Sequence, residues 1–233
     1  MSCYLFPSHD RRGGSVFLNS SCEEIWINDI NTQLIDFYQH VKNNVDELIA
    51  ESRRLFTLES NNRTTYNLLK EEFNAEKNTV RRSSIFLYLN RHCYRGLYRE
   101  NGAGDFNVPF GNYKKPLFSE HALRQMADRL QTARITNLDF RDVLKELEAG
   151  DVVYCDPPYV AATFRYVGKS FTRNDHRQLI EGLSGSKTRC VLNNSYDEQL
   201  KNLAIEGGAG FFSYDFDSRI EAGSISSEMI VWW

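Results

Sequence analysis

The sequence has no long apolar run, few cysteines and no basic leader at its start. Its longest apolar runs, residues 85–89 and 229–233, have five residues each, whereas a helix that crosses a bilayer needs roughly 18 to 20. The five cysteines are scattered and include no Cys-x-x-Cys pair, which argues against a disulfide framework and a structural zinc site. We therefore expect a cytoplasmic protein with no metal site and no membrane span.

The composition is that of a folded globular protein, with 41% hydrophobic and 25% charged residues. A length of 233 residues fits one large domain or one domain with a substantial insertion. The net charge of −3 argues against a nucleic-acid partner, but residues 81–115 have a net charge of +5. This segment is a candidate basic surface. Its basic residues are Arg81, Arg82, Arg91, Arg95, Arg99, Lys114 and Lys115.

The first half of the chain has the apolar spacing of helices. Apolar residues at steps of four and three between residues 34 and 48 predict one amphipathic helix over about 31–56. The same pattern predicts a second helix around 66–73 and a third that includes 85–89. The glycine-rich stretch 101–104 predicts a hairpin or an extended loop.

The second half alternates strands with helices. Residues 152–155 form a short apolar run, typical of a strand buried on both faces, and Thr172 opens a helix with a capping-box pattern. Strands are also expected at 24–28, 188–193, 211–216 and 228–232. This alternation predicts an α/β fold with a sheet of mostly parallel strands. The helical, basic middle is predicted to be an insertion over 59–122, which leaves 1–58 and 123–233 as the main domain.

One motif directly follows the apolar strand 152–155. Asp156, Pro157, Pro158 and Tyr159 stand where an open α/β sheet binds its ligands, outside the carboxyl end of a strand. An exocyclic amine on a base is a weak nucleophile, so a carboxylate and a rigidly held backbone carbonyl that accept its hydrogens would activate it. A tyrosine offers a flat face on which an extruded base can stack. The alternative is a proline-containing loop that only ends the strand.

At this point the chain resembles a known family, the Dam-type DNA adenine-N6 methyltransferases of the D12 class, found in bacteria and their phages. The resemblance covers most of the chain. It implies a Rossmann-like class I methyltransferase sheet, S-adenosylmethionine as methyl donor, base flipping, and an inserted helical and β-hairpin region that reads GATC in double-stranded DNA. Besides residues 156–159, it lies in Asn28-Asp29-Ile30-Asn31, residues 86–91, 106–111, 113–116, 170–172 and 224–227.

The resemblance also implies residues that hold the donor. By position, Asp29 would bond the donor's ribose or neighbouring groups, and Asp139 and Phe140 would edge its adenine. Gly14 would be the one glycine retained from a turn that wraps the donor. Taken without the resemblance, Asp29 could instead be a helix cap, and Asp139 a surface carboxylate.

Ten positions are candidate DNA contacts in the segment that resembles the family's DNA-facing hairpin and preceding loop, and five of them match the family there: Tyr94, Leu97, Arg99, Pro109 and Tyr113. Arginine suits guanine, apolar or aromatic wedges can enter an opened base stack, and lysine suits phosphates. Two positions depart from the family, with arginine at 95 in place of asparagine and asparagine at 112 in place of arginine. The alternative is a solvated charged face over core aromatics. The ten are Arg91, Tyr94, Arg95, Leu97, Arg99, Pro109, Asn112, Tyr113, Lys114 and Lys115.

The N-terminal donor motif is where the resemblance fails. The family's aromatic-x-Gly-Gly-Lys motif is missing, and of the acidic-Pro-Phe-x-Gly-x-Gly turn only Gly14 remains. The other positions of that turn hold Ser8, His9, Asp10 and Arg12. This departure predicts weak or lost donor binding, although a shortened start would produce the same pattern. Two hypotheses follow: an active adenine methyltransferase, and a catalytically impaired relative that binds DNA or a protein partner.

Overall fold

Seven strands form one sheet in the computed structural model, which describes residues 2–5, 15–114, 116–160, 171–217 and 225–233. The order across the sheet is β3-β2-β1-β4-β5-β7-β6. The first five strands in that order are parallel, whereas β7 pairs antiparallel with both β5 and β6. The predicted α/β class with mostly parallel strands is therefore confirmed. The strands are β1 (Ser2–Leu5), β2 (Glu24–Asn28), β3 (Arg134–Thr136), β4 (Val152–Cys155), β5 (Arg189–Ser195), β6 (Gly210–Asp217) and β7 (Ile225–Trp232).

The helices cover both faces of this sheet. None of those in the described ranges combines the length and the apolar composition that a membrane span requires. Their bounds are α1 (Ser15–Asn19), α2 (Thr32–Asn43), α3 (Val45–Leu55), α4 (Arg63–Ala75), α5 (Val80–His92), α6 (Glu120–Leu130), α7 (Phe140–Lys145), α8 (Arg173–Gly185) and α9 (Glu198–Glu206).

The single helix expected over 31–56 is wrong, because the chain breaks at Asn44 into α2 and α3. Asn44 leaves the helical conformation (φ −138°, ψ 33°), and its N–H donates to the carbonyl of His40. The apolar stripe continues across the break because both helices pack on the same core, to which Val41 and Leu48 belong. Periodicity alone therefore does not reveal the break.

Alternation along the central strands explains why both faces are covered. On β2, Ile25 and Ile27 face the core built with α2, α3 and α6, whereas Trp26 between them faces the core built with α7, α8 and α9. On β4, Val153 faces the second of these cores. Parallel strands need apolar side chains on both faces. Because helices cover both faces, a ligand can reach the sheet at the carboxyl ends of these strands.

A third core lies between α4, α5 and a hairpin. Tyr66, Phe73 and Tyr88 are buried there with Phe106 and Val108. The hairpin occurs where the glycine-rich stretch predicted it, since an antiparallel bridge joins Glu100 to Phe106 across the turn. Its turn is closed by the N–H of Asn101, which donates to the carbonyl of Asp105 at 2.8 Å. Phe56 and Phe86 pack against both this core and the one built with α2, α3 and α6.

Candidate active site and nucleic-acid surface

The carboxyl edge of the sheet brings together three of the segments that the sequence singled out. Because β2, β3 and β4 run parallel, their ends meet at one edge, and Asp29, Asp139 and Asp156 each follow one of these strands. Gly14 and the neighbouring positions of the predicted donor turn lie outside the described residues, as does Lys115.

Asp156 follows β4 directly, and only 7% of its surface is exposed. The loop that it opens is supported by α8. His176 in the first turns of α8 places Nε2 2.9 Å from the carbonyl oxygen of Pro158 and Nδ1 3.0 Å from that of Thr172. Burial lowers the pKa of His176, so the ring is neutral at pH 7 and has a single N–H to donate. The ring can therefore donate to only one of these two carbonyl oxygens, and it lies between the proline loop and the start of α8.

Tyr159, at the end of the motif, has its hydroxyl group held from two sides. Asn193 Nδ2 donates to this hydroxyl at 2.7 Å, and the hydroxyl lies 3.2 Å from Oε1 of Glu228 on β7. Burial, together with the negative charges of Asp156 and Glu228, raises the pKa of Tyr159. The phenol therefore stays protonated and donates to Glu228.

Asp29 is buried at the end of β2, with 6% of its surface exposed. Its Oδ1 accepts from the N–H of Asn31 at 2.7 Å. The N-cap of α2 is Asn31 itself, whose side chain accepts from the N–H of Leu34. The helix-cap alternative for Asp29 is therefore wrong, and its carboxylate instead orders the turn between the strand and the helix.

A side-chain amide fixes the neighbouring loop. Oδ1 of Asn28 accepts from the N–H of Leu138 at 2.8 Å, and Nδ2 donates to the carbonyl of the same residue at 2.9 Å. This pair of hydrogen bonds resembles the pairing of residues in a sheet and joins the end of β2 to the segment after β3. The segment that leads to Asp139 and Phe140 is thereby held at the end of β2 that Asp29 follows.

Asp139 and Phe140 both have local partners. Asp139 is the N-cap of α7, accepting from the N–H of Arg141 at 2.9 Å, and it forms an ion pair with the same side chain at 3.0 Å. Phe140 is buried against Phe171, with ring centroids 5.3 Å apart. Arg141 also pairs with Asp175 in the first turn of α8. A contact of either residue with a bound donor stays a prediction.

The predicted nucleic-acid positions lie mostly on two paired segments. Tyr94 donates its N–H to the carbonyl of Pro109 at 2.7 Å, and the N–H of Gly111 donates to His92 at 2.7 Å. Arg95 adopts the left-handed conformation (φ 57°), with its guanidinium 5.1 Å from the centre of the Tyr94 ring. Its N–H donates to the hydroxyl of Tyr113 at 2.8 Å. These bonds bring Tyr94, Arg95, Pro109 and Tyr113 together.

The remaining predicted positions differ in how far they project. Arg91, Arg99, Asn112 and Lys114 are exposed, although Arg99 Nε also donates to Asn107 Oδ1 across the hairpin at 2.7 Å. Leu97 is half-buried and packs against the third core, because the hairpin needs an apolar anchor at its base. We use the name recognition surface from here on for the nine predicted positions that the structure describes, and their contact with DNA stays a prediction.

Two arginines of the basic segment form ion pairs with residues of other helices and do not belong to this surface. Arg81 pairs with Glu72 at 2.8 Å and with Glu51 at 3.4 Å. Arg82 lies 3.8 Å from Asp36, and its guanidinium stacks over Phe73 at 4.7 Å. Their acidic partners lie outside residues 81–115, so the charge of that segment overstates the basic surface.

Sequence reasoning missed three residues that shape the edge. His176 had a weak signal, because it lies in the helix that the capping box opens, whereas Asn193 and Glu228 had none. In the described part of the chain, the buried Asn193 Oδ1 and Asn194 Nδ2 lack hydrogen-bond partners. Unpaired buried polar atoms are costly and often mark functional sites, and both residues lie at the carboxyl end of β5, beside Tyr159.

Comparisons with known proteins identify the family to which the chain is similar. A family model described as D12 class N6 adenine-specific DNA methyltransferase matches residues 13–212. A DNA adenine methylase of Serratia marcescens is 44% identical over 171 residues, which are 71% of this chain and 63% of that protein. A DNA adenine methylase of Escherichia coli (strain K12) is 40% identical over 183 residues, covering 76% of this chain and 66% of that protein. The chain thus spans about two thirds of the length of these relatives.

Proposed function

The chain belongs to the D12 class of N6-adenine-specific DNA methyltransferases, and we propose that it methylates N6 of adenine in double-stranded DNA, within GATC. The observation that carries this proposal is the buried carboxylate of Asp156 in a braced proline loop at the carboxyl edge of the sheet. The compared relatives are named DNA adenine methylases, and nothing in the comparisons supports the catalytically impaired alternative.

We propose that the sheet is a Rossmann-like class I methyltransferase sheet interrupted by a target-recognition insertion over 59–122. The central parallel strands with helices on both faces support the first part. The cluster of buried side chains that α4, α5 and the hairpin form among themselves supports the second. Residues 1–58 and 123–233 would then form the catalytic domain.

Asp156 is proposed to accept a hydrogen bond from N6 of the extruded adenine, and a backbone carbonyl of the loop accepts a second hydrogen bond from the same amino group. This withdraws the nitrogen lone pair from the ring and directs it toward the methyl group. Pro157 and Pro158 restrict the loop, so these acceptors need little reorganisation during the reaction. The ring of Tyr159 provides the stacking face for the adenine.

S-adenosylmethionine, the methyl donor that the family implies, supplies an electrophilic methyl group on a sulfonium. The described residues include side chains of the chemical types that bind the ribose and the adenine of this donor. Asp29 offers a buried carboxylate at the end of β2 for ribose hydroxyls, and Phe140 offers an aromatic wall beside it for an adenine ring. Asp139 would hold the loop that presents Phe140 through its cap on α7. Gly14 is proposed to permit close backbone approach to the donor.

The recognition surface is proposed to bind the duplex around the target base. Arg95 and Arg99 have the side chain best suited to guanine edges in the major groove, and Tyr94 is 45% exposed and able to enter an opened stack. Arg91 and Lys114 would contact phosphates. Arginine at 95 and asparagine at 112 would give this chain its own sequence preference.

The test is expression in a bacterial host that lacks adenine methylation. DNA from cells that express the unmodified chain should resist a nuclease blocked by methylation at GATC, and mass spectrometry should detect N6-methyladenine. Asp156→Ala should abolish both signals with the fold retained. Asp128→Ala, which removes an exposed carboxylate on α6, is the matched control and should keep them. Methylcytosine as the sole product, or full activity of Asp156→Ala, contradicts the mechanism.

A further inference from the structure

Glu228 lies on β7, the strand that pairs with both β5 and β6. In the strand register it lies opposite Ser195 on β5 and opposite Tyr214 on β6. Directly opposed residues of antiparallel strands project on the same face, so Glu228 shares a face with Tyr214. The same pairing places Asn193 opposite Ile230, which puts Asn193 on that face as well.

The carboxylate of Glu228 accepts hydrogen bonds from two phenols. The hydroxyl of Tyr159 lies 3.2 Å from Oε1, and that of Tyr214 lies 2.5 Å from Oε2. Among the described residues no lysine or arginine forms an ion pair with Glu228, so the two hydroxyls are the donors that compensate this half-buried charge. Bonds to an ionised acceptor are stronger than neutral ones.

The two bonds to the Tyr159 hydroxyl differ in direction. A phenol has one proton to donate and lone pairs to accept with. Tyr159 accepts from Asn193 at 2.7 Å and donates to Glu228. Close by, the N–H of Val160 donates to Oδ1 of Asn194 at 3.2 Å. The backbone is therefore bound to β5, and the far end of the ring is bound to both β5 and β7.

We propose that Glu228 is a positioning residue that holds the ring of Tyr159 in the orientation on which the extruded adenine stacks. The inference rests on the proposed function. The hydrogen bond from Asn193 leaves the phenol proton of Tyr159 without an acceptor, and the ring can then rotate about this one bond. The bond to Glu228 removes this freedom, and Tyr214 holds the carboxylate in place from β6.

Base stacking can be measured separately from methyl transfer with 2-aminopurine in place of the target adenine. Stacking on an aromatic side chain quenches the fluorescence of an extruded 2-aminopurine. Glu228→Ala should give a brighter complex and about tenfold lower kcat, with the Kd for duplex DNA within twofold, since the recognition surface is untouched. Tyr159→Phe removes the bond to Glu228 together with the one from Asn193, so adding Glu228→Ala to Tyr159→Phe should change little further.

Two further variants separate positioning from stability. Glu228→Gln keeps one acceptor oxygen and should recover part of the quenching. Tyr196→Phe removes a hydrogen bond of the same kind, between Tyr196 and Glu198 on the surface, and should leave both readouts unchanged. The thermal unfolding midpoint of each variant confirms that the fold is retained.

The outcomes distinguish the inference from the proposed function. Unchanged quenching in Glu228→Ala, or additive effects in the double variant, overturns the positioning role. Quenching by the unmodified chain that Glu228→Ala relieves supports it even where methyl transfer is not detected. Absence of methyl transfer to adenine by the unmodified chain overturns the proposed function instead.

Discussion

His92 is a single side chain whose ionisation is governed by its surroundings. Only 1% of its surface is exposed, and its ring stacks on Tyr88 with centroids 3.7 Å apart. Nδ1 lies 2.8 Å from the carbonyl oxygen of Tyr88. Burial lowers the pKa of His92 to about 4, although the bond to Tyr88 opposes the shift. The folded protein thus holds this ring neutral through the mildly acidic range.

The free energy of unfolding should therefore fall as the pH decreases from about 6.5 to about 4. Over this interval the unfolded chain binds a proton at His92 and the folded chain does not, so acid favours unfolding. At about 1.4 kcal/mol per pKa unit, a shift of His92 from 6.5 to about 4 corresponds to a loss on the order of 3 kcal/mol.

Denaturant titrations across this range test the assignment. His92→Phe keeps a ring on Tyr88 and should flatten the pH dependence, with a residual slope from His176, whose pKa is also lowered. His121→Gln, which replaces an exposed histidine on α6, should leave the slope as it was. An equal slope in the His92→Phe variant would sink the assignment.

At this scale, local context determines which site residues the sequence could predict. Asp156 was predictable because an apolar strand immediately precedes it. Glu228 was not, because its contact with Tyr159 joins residues 69 positions apart and depends on how β7 pairs. Arg81 and Arg82 were placed on a basic surface because counting charges within a segment ignores acidic partners on other helices.

At the scale of elements, Gly111 permits the close pairing that supports the recognition surface. An added Cβ would lie 2.6 Å from the carbonyl oxygen of Cys93 and 2.5 Å from the ring of Tyr113. Neither the backbone at Cys93 nor the ring, whose hydroxyl is bonded to the N–H of Arg95, can move without disturbing the two segments. This glycine is required by close approach and not by a left-handed φ.

Gly111→Ala should therefore destabilise the fold by about 1 to 3 kcal/mol and weaken duplex binding by displacing Tyr94 and Tyr113. Gly102→Ala places the same methyl group at the tip of the hairpin, where nothing lies within 4 Å, and should change neither property. Chemical denaturation and a duplex-binding titration on both variants test this. Wild-type binding by Gly111→Ala would show that the pairing tolerates displacement.

Sequence reasoning missed β3 and the break at Asn44 because neither leaves a clear local pattern in the sequence. β3 has three residues, with the sequence Arg-Ile-Thr, which is too short to show alternation. The break at Asn44 leaves the apolar stripe continuous, so only backbone geometry reveals it. The hairpin was predictable because glycines concentrate at its turn, where the backbone needs unusual freedom, as at Gly104 (φ 89°).

At the scale of the whole molecule, the distribution of charged side chains determines which surface attracts the phosphates of DNA. Lys114 is exposed on the recognition surface, and the side chain of Asn61 donates to the backbone carbonyls of Tyr113 and Lys114. This contact holds the segment against the start of α4. Lys187 is also exposed but precedes β5, and so lies near the start of that strand, away from the edge that bears Asp156.

Lys114→Ala should weaken binding to every duplex alike and reduce the slope of log K against log salt by about one, because one phosphate contact is lost. Lys187→Ala removes the same charge near the start of β5 and should leave the slope unchanged. Fluorescence anisotropy over a range of salt concentrations measures both. Equal slopes for the two variants would place the DNA elsewhere on the molecule.

The fold as a whole was largely predictable, because alternating apolar strands and amphipathic helices allow few arrangements other than a covered parallel sheet. The order of strands was not, since it depends on contacts between distant segments. β1, the first strand along the chain, lies between β2 and β4 in the middle of the sheet.

The position of β7 has a consequence for how the protein is made. It is the last described strand along the chain, yet it lies between β5 and β6. During synthesis, β5 and β6 leave the ribosome before the strand that joins them, so β5 keeps one unpaired edge and β6 has no partner strand until residues 225–232 emerge. Glu228 arrives with that strand. The ring of Tyr159 therefore acquires its contact with Glu228 only after β7 has emerged, and a nascent chain without this segment presents unpaired strand edges to chaperones or to other chains.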